Sequence, residues 1–207
     1  MIGIFGGTFD PVHFGHLRSA LEVKEIFDLT EVRMIPSARP PHREPPAASA
    51  EMRLCMLKLA LENHPGLICD ARELDRGGCS YMVDTLRSLQ QDFPERTLLL
   101  FIGCDAFHSI TTWYQWQKLF TYAHLVVLTR PGFAVTELGD FLTQKRVNLR
   151  NELLQTASGK LFFQPVTPLA ISSTSIREII AQNLNPGFLL PDVVYDFIRR
   201  NRLYRQH

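Results

Sequence analysis

The chain has 207 residues, 45% hydrophobic and 21% charged, with a net charge of +1 at neutral pH. That size and mix suit one soluble domain with a full core, and the near-zero charge excludes broad attraction to nucleic acid or to a membrane surface. No apolar run is long enough to span a bilayer, and the N-terminus lacks the basic-then-apolar order of an export signal, so the expected location is cytoplasmic.

Taken in chain order, "IGIF" reads as a short buried strand that stops at Gly6-Gly7, and a helix follows from His16. "EVRMIPS" is a second strand, broken by Pro36. "ARPPHREPPAAS" is a loop, because its four prolines forbid regular hydrogen bonding. "EMRLCMLKLALEN" reads as a helix, apolar nearly all round and therefore well buried. "GLICDARELD" is strand-like, Gly77-Gly78 break the chain, and "YMVDTLRSLQQD" is helical. "TLLLFIG" and "HLVVLTRPG" are continuous apolar runs ending in glycine, the form of parallel strands covered on both faces. A weaker helix covers part of 137–155, and "KLFFQPV" makes a last strand. "STSIREIIAQN" and "PDVVYDFIRRNRLY" close the chain as helices, with Ser175 and Glu178 spaced as a capping box and Pro191 suited to a first helical turn. Cys55, Cys69, Cys79 and Cys104 form no Cys-x-x-Cys pair and are expected as reduced, mostly packing thiols.

Alternating strands and helices predict an α/β fold: a Rossmann-like, doubly wound parallel sheet with helices on both faces and a small C-terminal helical part. The whole chain, 1–207, is expected as one domain, with the helices from about residue 172 packed on the core. Ligands of such folds bind at the carboxyl ends of the strands, where the glycine- and proline-rich segments lie here.

"GGTFDPVHFGH" is neither G-x-x-x-x-G-K-S/T nor G-x-G-x-x-G, since Gly15 precedes a histidine and Gly6 and Gly7 are adjacent. It still has the parts of a phosphate site. Two glycines permit close backbone approach, the following helix start offers N–H groups and a positive dipole end, and His13 and His16 can follow charge on phosphoryl oxygens. Two surface histidines on a turn, or half of a zinc site, are the competing readings, the latter without a third ligand at suitable spacing. Asp10 reads as a turn former, with a role near the nucleotide left open. In "ISSTSIR", hydroxyls at a helix start together with Arg177 make a second anion site, although a capped helix alone accounts for the same residues. His42 and Arg43 sit on the proline loop, where they could clamp a phosphate. Trp113, Tyr114 and Trp116 are close-spaced aromatics that serve either packing or a ligand platform. Asp105, after a buried strand, suits a helix N-cap. His64, His108, His124 and His207 are expected as packing or surface residues.

Together these segments resemble the nucleotidyltransferase superfamily marked by His/Thr-x-Gly-His, and within it the bacterial nicotinate-mononucleotide adenylyltransferases. "GGTFDPVHFGH", "PSARPPHRE", "DARELDRGGCSYMVDTL", "IGCDAF", "TTWYQW", "RPG" and "ISSTSIR" are similar to that family's segments in the family's order, over nearly the whole chain. The resemblance implies adenylyl transfer from ATP to nicotinate mononucleotide, giving nicotinate adenine dinucleotide and pyrophosphate in NAD biosynthesis. It implies catalytic roles for His16, His13 and Arg177. It implies ATP binding by Gly6, Gly7, Thr8, Phe9, His13, His16, Asp105, Ile171, Ser172, Ser173, Thr174 and Arg177. Mononucleotide binding falls to His42, Arg43, Ser80, Tyr81, Met82, Trp113, Tyr114 and Arg130, with Trp113 stacking on the pyridine ring and backbone N–H groups near Ser80–Met82 and Tyr114 holding the carboxylate. Met82 stands where the family usually has Thr, so a backbone contact survives there and a hydroxyl contact does not. Thr111 replaces the usual Pro.

No serine, cysteine or lysine in these segments looks like an activated nucleophile, so the mononucleotide phosphate is expected to attack the α-phosphorus directly, in line. Mg²⁺ is expected to arrive with ATP, without a dedicated protein cage. The expected partners are ATP and nicotinate mononucleotide, with no nucleic acid and no membrane, and a homo-oligomer is left open. Rival readings are the same transfer to nicotinamide mononucleotide or to another phosphate acceptor, a catalytically silent nucleotide sensor, and a metal-dependent hydrolase built on His13 and His16.

Overall fold

In a computed structural model the chain is described over residues 1–40, 45–130 and 138–205. Six strands, β1 (Ile2–Gly7), β2 (Glu31–Pro36), β3 (Leu67–Cys69), β4 (Leu98–Gly103), β5 (His124–Thr129) and β6 (Leu161–Pro165), form one sheet in the order β3-β2-β1-β4-β5-β6. Every pairing is parallel, with Ile2 beside both Glu31 and Leu98. This is the doubly wound arrangement expected from the alternating elements. The strand order reverses at β1, so the crevice between the carboxyl ends of β1 and β4 is the switch point at which such sheets bind ligands.

Alternation along β4 explains why its run is apolar throughout. Leu98, Leu100 and Ile102 point into one core layer, and Leu99 and Phe101 into the other. The layer under Leu99 and Phe101 is completed by α1 (Phe14–Ile26), α2 (Ala50–Leu61), α8 (Ser173–Ala181) and α9 (Asp192–Arg200), through Ala20, Met56, Ile176 and Val194 among others. The opposite layer is built on α4 (Met82–Asp92), α5 (Cys104–His108), α6 (Leu119–Tyr122) and α7 (Asp140–Lys145), with Leu86, Phe107, Phe120 and Leu142 inward.

Several local expectations change. β1 ends at the glycine pair and includes both of its residues, which stay paired with Ile35 and Pro36. The third strand ends at Cys69. Asp70 takes Arg33 Nη1 at 2.9 Å and the N–H of Arg72 at 3.1 Å, which turns the chain into the short α3 (Arg72–Arg76). The capping hydroxyl of α8 belongs to Ser172, which accepts from Ser175 N at 3.0 Å, so the expected Ser175–Glu178 box lies inside the helix. Pro191 is the residue before α9 instead of its first turn. The weak helical stretch at 137–155 is α7 plus a 3-10 turn over Arg150–Leu154. α2 is buried along one side only, and Cys55 and Cys79 are exposed free thiols instead of packing ones. No helix among the described residues is long and apolar enough to cross a membrane.

The last helix stops four residues earlier than its pattern suggests. Leu203 N bonds to Ile198 O and Arg202 N to Arg199 O, with Arg202 at φ 53. That is the Schellman pattern, and it folds the final residues back toward the body of the protein.

Candidate active site

At the switch point a cavity of about 360 Å³ opens. Gly6, Gly7 and Thr8 form one wall, Ser80, Tyr81 and Met82 another, and Trp113 and Tyr114 a third. A Cβ on Gly6 would lie 2.5 Å from the Met82 methyl, so glycine here lets the Met82 side chain lie across the strand end. The rings of Tyr81 and Tyr114 meet at 4.6 Å. Ser80 accepts from Ala38 N at 2.8 Å, which ties this wall to the loop after β2. α4 begins at the cavity, and the N–H groups of Met82 and Val83 have no acceptor among the described residues. Such N–H groups can receive a carboxylate.

Glu73 also lines the cavity, and no motif argument had singled it out. It is buried, Thr85 Oγ1 donates to its Oε1 at 2.6 Å, and desolvation pushes its carboxyl above the ordinary range against the pull of that bond. An isolated Glu in a short helix carries no sequence sign of being buried.

The histidine pair sits at the start of α1, outside the cavity lining. The rings of His13 and His16 stack at 3.7 Å, and Phe9 packs its ring against His16 at 5.1 Å. The side chain of Phe9 is thus buried behind the site, leaving only its backbone for any ligand. Gly15 lets the His13 ring lie over the first turn, since a Cβ there would come within 3.0 Å of it. Burial lowers His13 to about 4, and burial with the neighbouring His13 holds His16 well below 6.5. Both rings are therefore neutral at pH 7, and the Nδ1 atoms of both are buried without a partner among the described residues. The helix start is less open than its sequence suggests. Leu189 O takes the N–H of Phe14 and His13 O takes that of His16, leaving Gly15 N–H unpaired among the described residues.

α8 stands beside this helix. Ile171 O lies 3.5 Å from where a Gly15 Cβ would be, and Ser173 Oγ donates to Pro11 O at 2.9 Å. Arg177 spans the two segments, donating to Asp10 O at 2.7 Å and to Thr174 Oγ1 at 3.3 Å. The N–H groups of Ser173 and Thr174 have no acceptor among the described residues.

Two buried residues hold the turn that carries this machinery. The Asp10 carboxylate accepts from Ala47 N at 2.7 Å, Ala48 N at 3.2 Å and Tyr204 OH at 2.7 Å. Arg53, 1% exposed, donates to Thr8 O at 2.7 Å and to Ala38 O and Ala48 O at 3.3 Å. Burial lowers the Arg53 pKa, an effect the charge of Asp10 opposes. Helical spacing marks Arg53 only as part of an apolar helix, and its role depends on carbonyls 5, 15 and 45 residues away.

Asp105 is exposed on α5, just past β4. Gly103, not Asp105, is that helix's N-cap. Arg130 is exposed at the end of β5. Neither lines the cavity. His42 and Arg43 lie outside the described residues, as do His207 and the Pro131-Gly132 pair. His124 is buried and bonded to Thr156 O and Lys160 N, a packing role.

A parallel sheet with a cavity at its switch point, unpaired helix-start N–H groups and a neutral histidine pair beside an arginine defines a nucleotide-binding α/β protein of the Rossmann type. Residues 4–179 match the cytidylyltransferase-like family model, and the chain belongs to that family. A probable nicotinate-nucleotide adenylyltransferase of Methylococcus capsulatus is 46% identical over 208 residues, covering 99% of each chain. A relative of the same name in Hahella chejuensis is 47% identical, covering 98% of this chain and 95% of its own. Among solved structures, the Plasmodium falciparum nicotinic acid mononucleotide adenylyltransferase complexed with NaAD shares the fold at a TM-score of 0.74 and 17% identity, covering 98% of this chain and 96% of its own.

Proposed function

We propose that this protein is a cytoplasmic nicotinate-nucleotide adenylyltransferase, joining the adenylyl group of ATP to nicotinate mononucleotide and releasing pyrophosphate, as a step in NAD biosynthesis. One observation carries the reading. An aromatic-walled cavity sized for a small ligand adjoins a separate histidine–arginine cluster suited to phosphates, in a chain 46% identical from end to end to a relative of that name.

The mononucleotide lies in the cavity with its pyridine ring on Trp113, between Tyr114 and the Ser80–Met82 wall. Its carboxylate meets the unpaired N–H groups at the start of α4, which Met82 supplies through its backbone. ATP lies along Gly6–Phe9 and the α1 start, with Ile171–Thr174 and Arg177 on its polyphosphate. Asp105 accepts from the ribose hydroxyls, and Arg130 contacts the nucleotide from the end of β5. An oxygen of the mononucleotide phosphate attacks the α-phosphorus in line, the bond to the β-phosphate oxygen breaks, and pyrophosphate leaves. The protein contributes positioning and charge stabilisation, with no covalent intermediate. His16 stabilises the α-phosphate as it passes through the transition state. His13 and Arg177 hold the departing phosphates. Mg²⁺ enters bound to the phosphates of ATP.

The test is pyrophosphate release with ATP and either nicotinate or nicotinamide mononucleotide. Rapid release with the acid and slow release with the amide is the expected result. Comparable rates refute the acceptor assignment, and no release with either refutes the enzyme.

A further inference from the structure

The turn between β1 and α1 receives hydrogen bonds from four separate parts of the chain. Arg53 of α2 bonds Thr8 O, Ser173 of α8 bonds Pro11 O, Arg177 bonds Asp10 O, and Ala47 and Ala48 donate to the Asp10 carboxylate. A sixth donor comes from the other end of the molecule. Tyr204, 194 residues from Asp10, places its hydroxyl 2.7 Å from Asp10 Oδ1.

Three features single Tyr204 out. It lies beyond the last helix, delivered by the Schellman turn at Arg202, and is itself at φ 63, a conformation that favours glycine. Its partner Asp10 is buried, so among the described residues loss of the phenol leaves a carboxylate oxygen with only Ala48 N at 3.2 Å. Burial and the Asp10 carboxylate hold its own ionisation above the usual phenol range, so it is a fixed donor at any working pH. Displacement of Asp10 moves its neighbours on both sides. Phe9 supports the His16 ring, and His13 begins α1 and stacks on His16. The Asp10 carbonyl is also an anchor of Arg177.

We propose that Tyr204 is a positioning residue for adenylyl transfer, acting through Asp10 to hold His13, His16 and Arg177 where they meet the phosphates of ATP. The inference rests on the function proposed above. The C-terminal segment thereby completes the active site without touching substrate.

The experiment is steady-state pyrophosphate release, at a temperature well below unfolding, by the wild type, Tyr204→Phe, Asp10→Asn and the double variant. Tyr204→Phe should lower kcat about tenfold, the scale of one misplaced charge-assisted contact, while the KM for nicotinate mononucleotide stays within about twofold. In the Asp10→Asn background the same change should cost less than about twofold, because the partner through which it acts is already altered. A purely structural tyrosine would lower Tm and leave kcat of the folded enzyme unchanged. A kcat within about twofold of wild type, or losses that multiply in the double variant, overturns the inference. An inactive wild type instead overturns the functional reading.

Should Tyr204→Phe fail to fold, hydrogen exchange in the wild type tests the same coupling. A non-hydrolysable ATP analogue should slow exchange at residues 202–205 and at Ala47 and Ala48 along with the β1–α1 turn, because a ligand of the ordered turn suppresses openings that disrupt it. Unchanged protection at 202–205 overturns the proposal.

Discussion

His13 makes the free protein sensitive to acid, and the direction follows from its burial. Its folded pKa of about 4 lies below the ordinary 6.5, so between those values the unfolded chain binds a proton that the folded chain refuses. The stability contributed by the neutral ring is complete above pH 6.5 and is lost as pH falls from there to about 4. The full gap amounts to about 3 kcal/mol, and about 2 kcal/mol of it is gone by pH 5. For a chain of this length that corresponds to a fall in Tm of about 4–8 °C between pH 8 and pH 5 from this residue alone. His13→Asn keeps a polar group and removes the titration. Thermal unfolding of both proteins across that pH range should therefore show a shallower acid slope in the variant. Parallel curves would refute the reasoning, because they would mean that the ring titrates alike in the folded and unfolded chains. An ATP analogue should reverse the trend in the wild type. The phosphate oxygens proposed to lie beside His13 would favour its cation, so binding near pH 6 should take up protons, visible by calorimetry in buffers of different ionisation enthalpy.

Other variants separate the remaining parts of the site. His16→Ala should lower kcat by about two to three orders of magnitude with little change in thermal stability, and near-normal turnover would remove His16 from the mechanism. Trp113→Ala should raise the KM for the mononucleotide about tenfold and leave the KM for ATP within about twofold, read from paired substrate titrations. Arg53→Met should destabilise the protein by about 3 kcal/mol in urea unfolding, because three carbonyls including Thr8 O lose their donor, and a loss below about 1 kcal/mol would contradict that role.

Much of the architecture was legible before any coordinates. Short continuous apolar runs such as Leu98–Ile102, closed by a glycine, suit a strand buried on both faces, and their alternation with helical patterns leaves few sheets to build. The segments of the candidate site were legible too, because turn glycines, paired histidines and a serine-rich helix start are local devices that show in adjacent residues. Local patterns were weaker at boundaries. The third strand ended early because Asp70 found Arg33, and the last helix because a left-handed residue at Arg202 closed it.

What tertiary structure alone decided is how those segments act together. Whether a histidine is charged depends on what buries it, and the neutral, stacked state of His13 and His16 comes from packing among α1, Phe9 and one another. Arg53, Glu73, Asp10 and Tyr204 look ordinary in sequence, as a helix charge, a short-helix acid, a turn former and a terminal aromatic. Their importance arises from hydrogen bonds that cross up to 194 residues, and no periodicity or spacing encodes a partner at that distance. Sequence determined which chemistry could be present. The fold determined its charge state, its geometry and the buried groups that hold it in place.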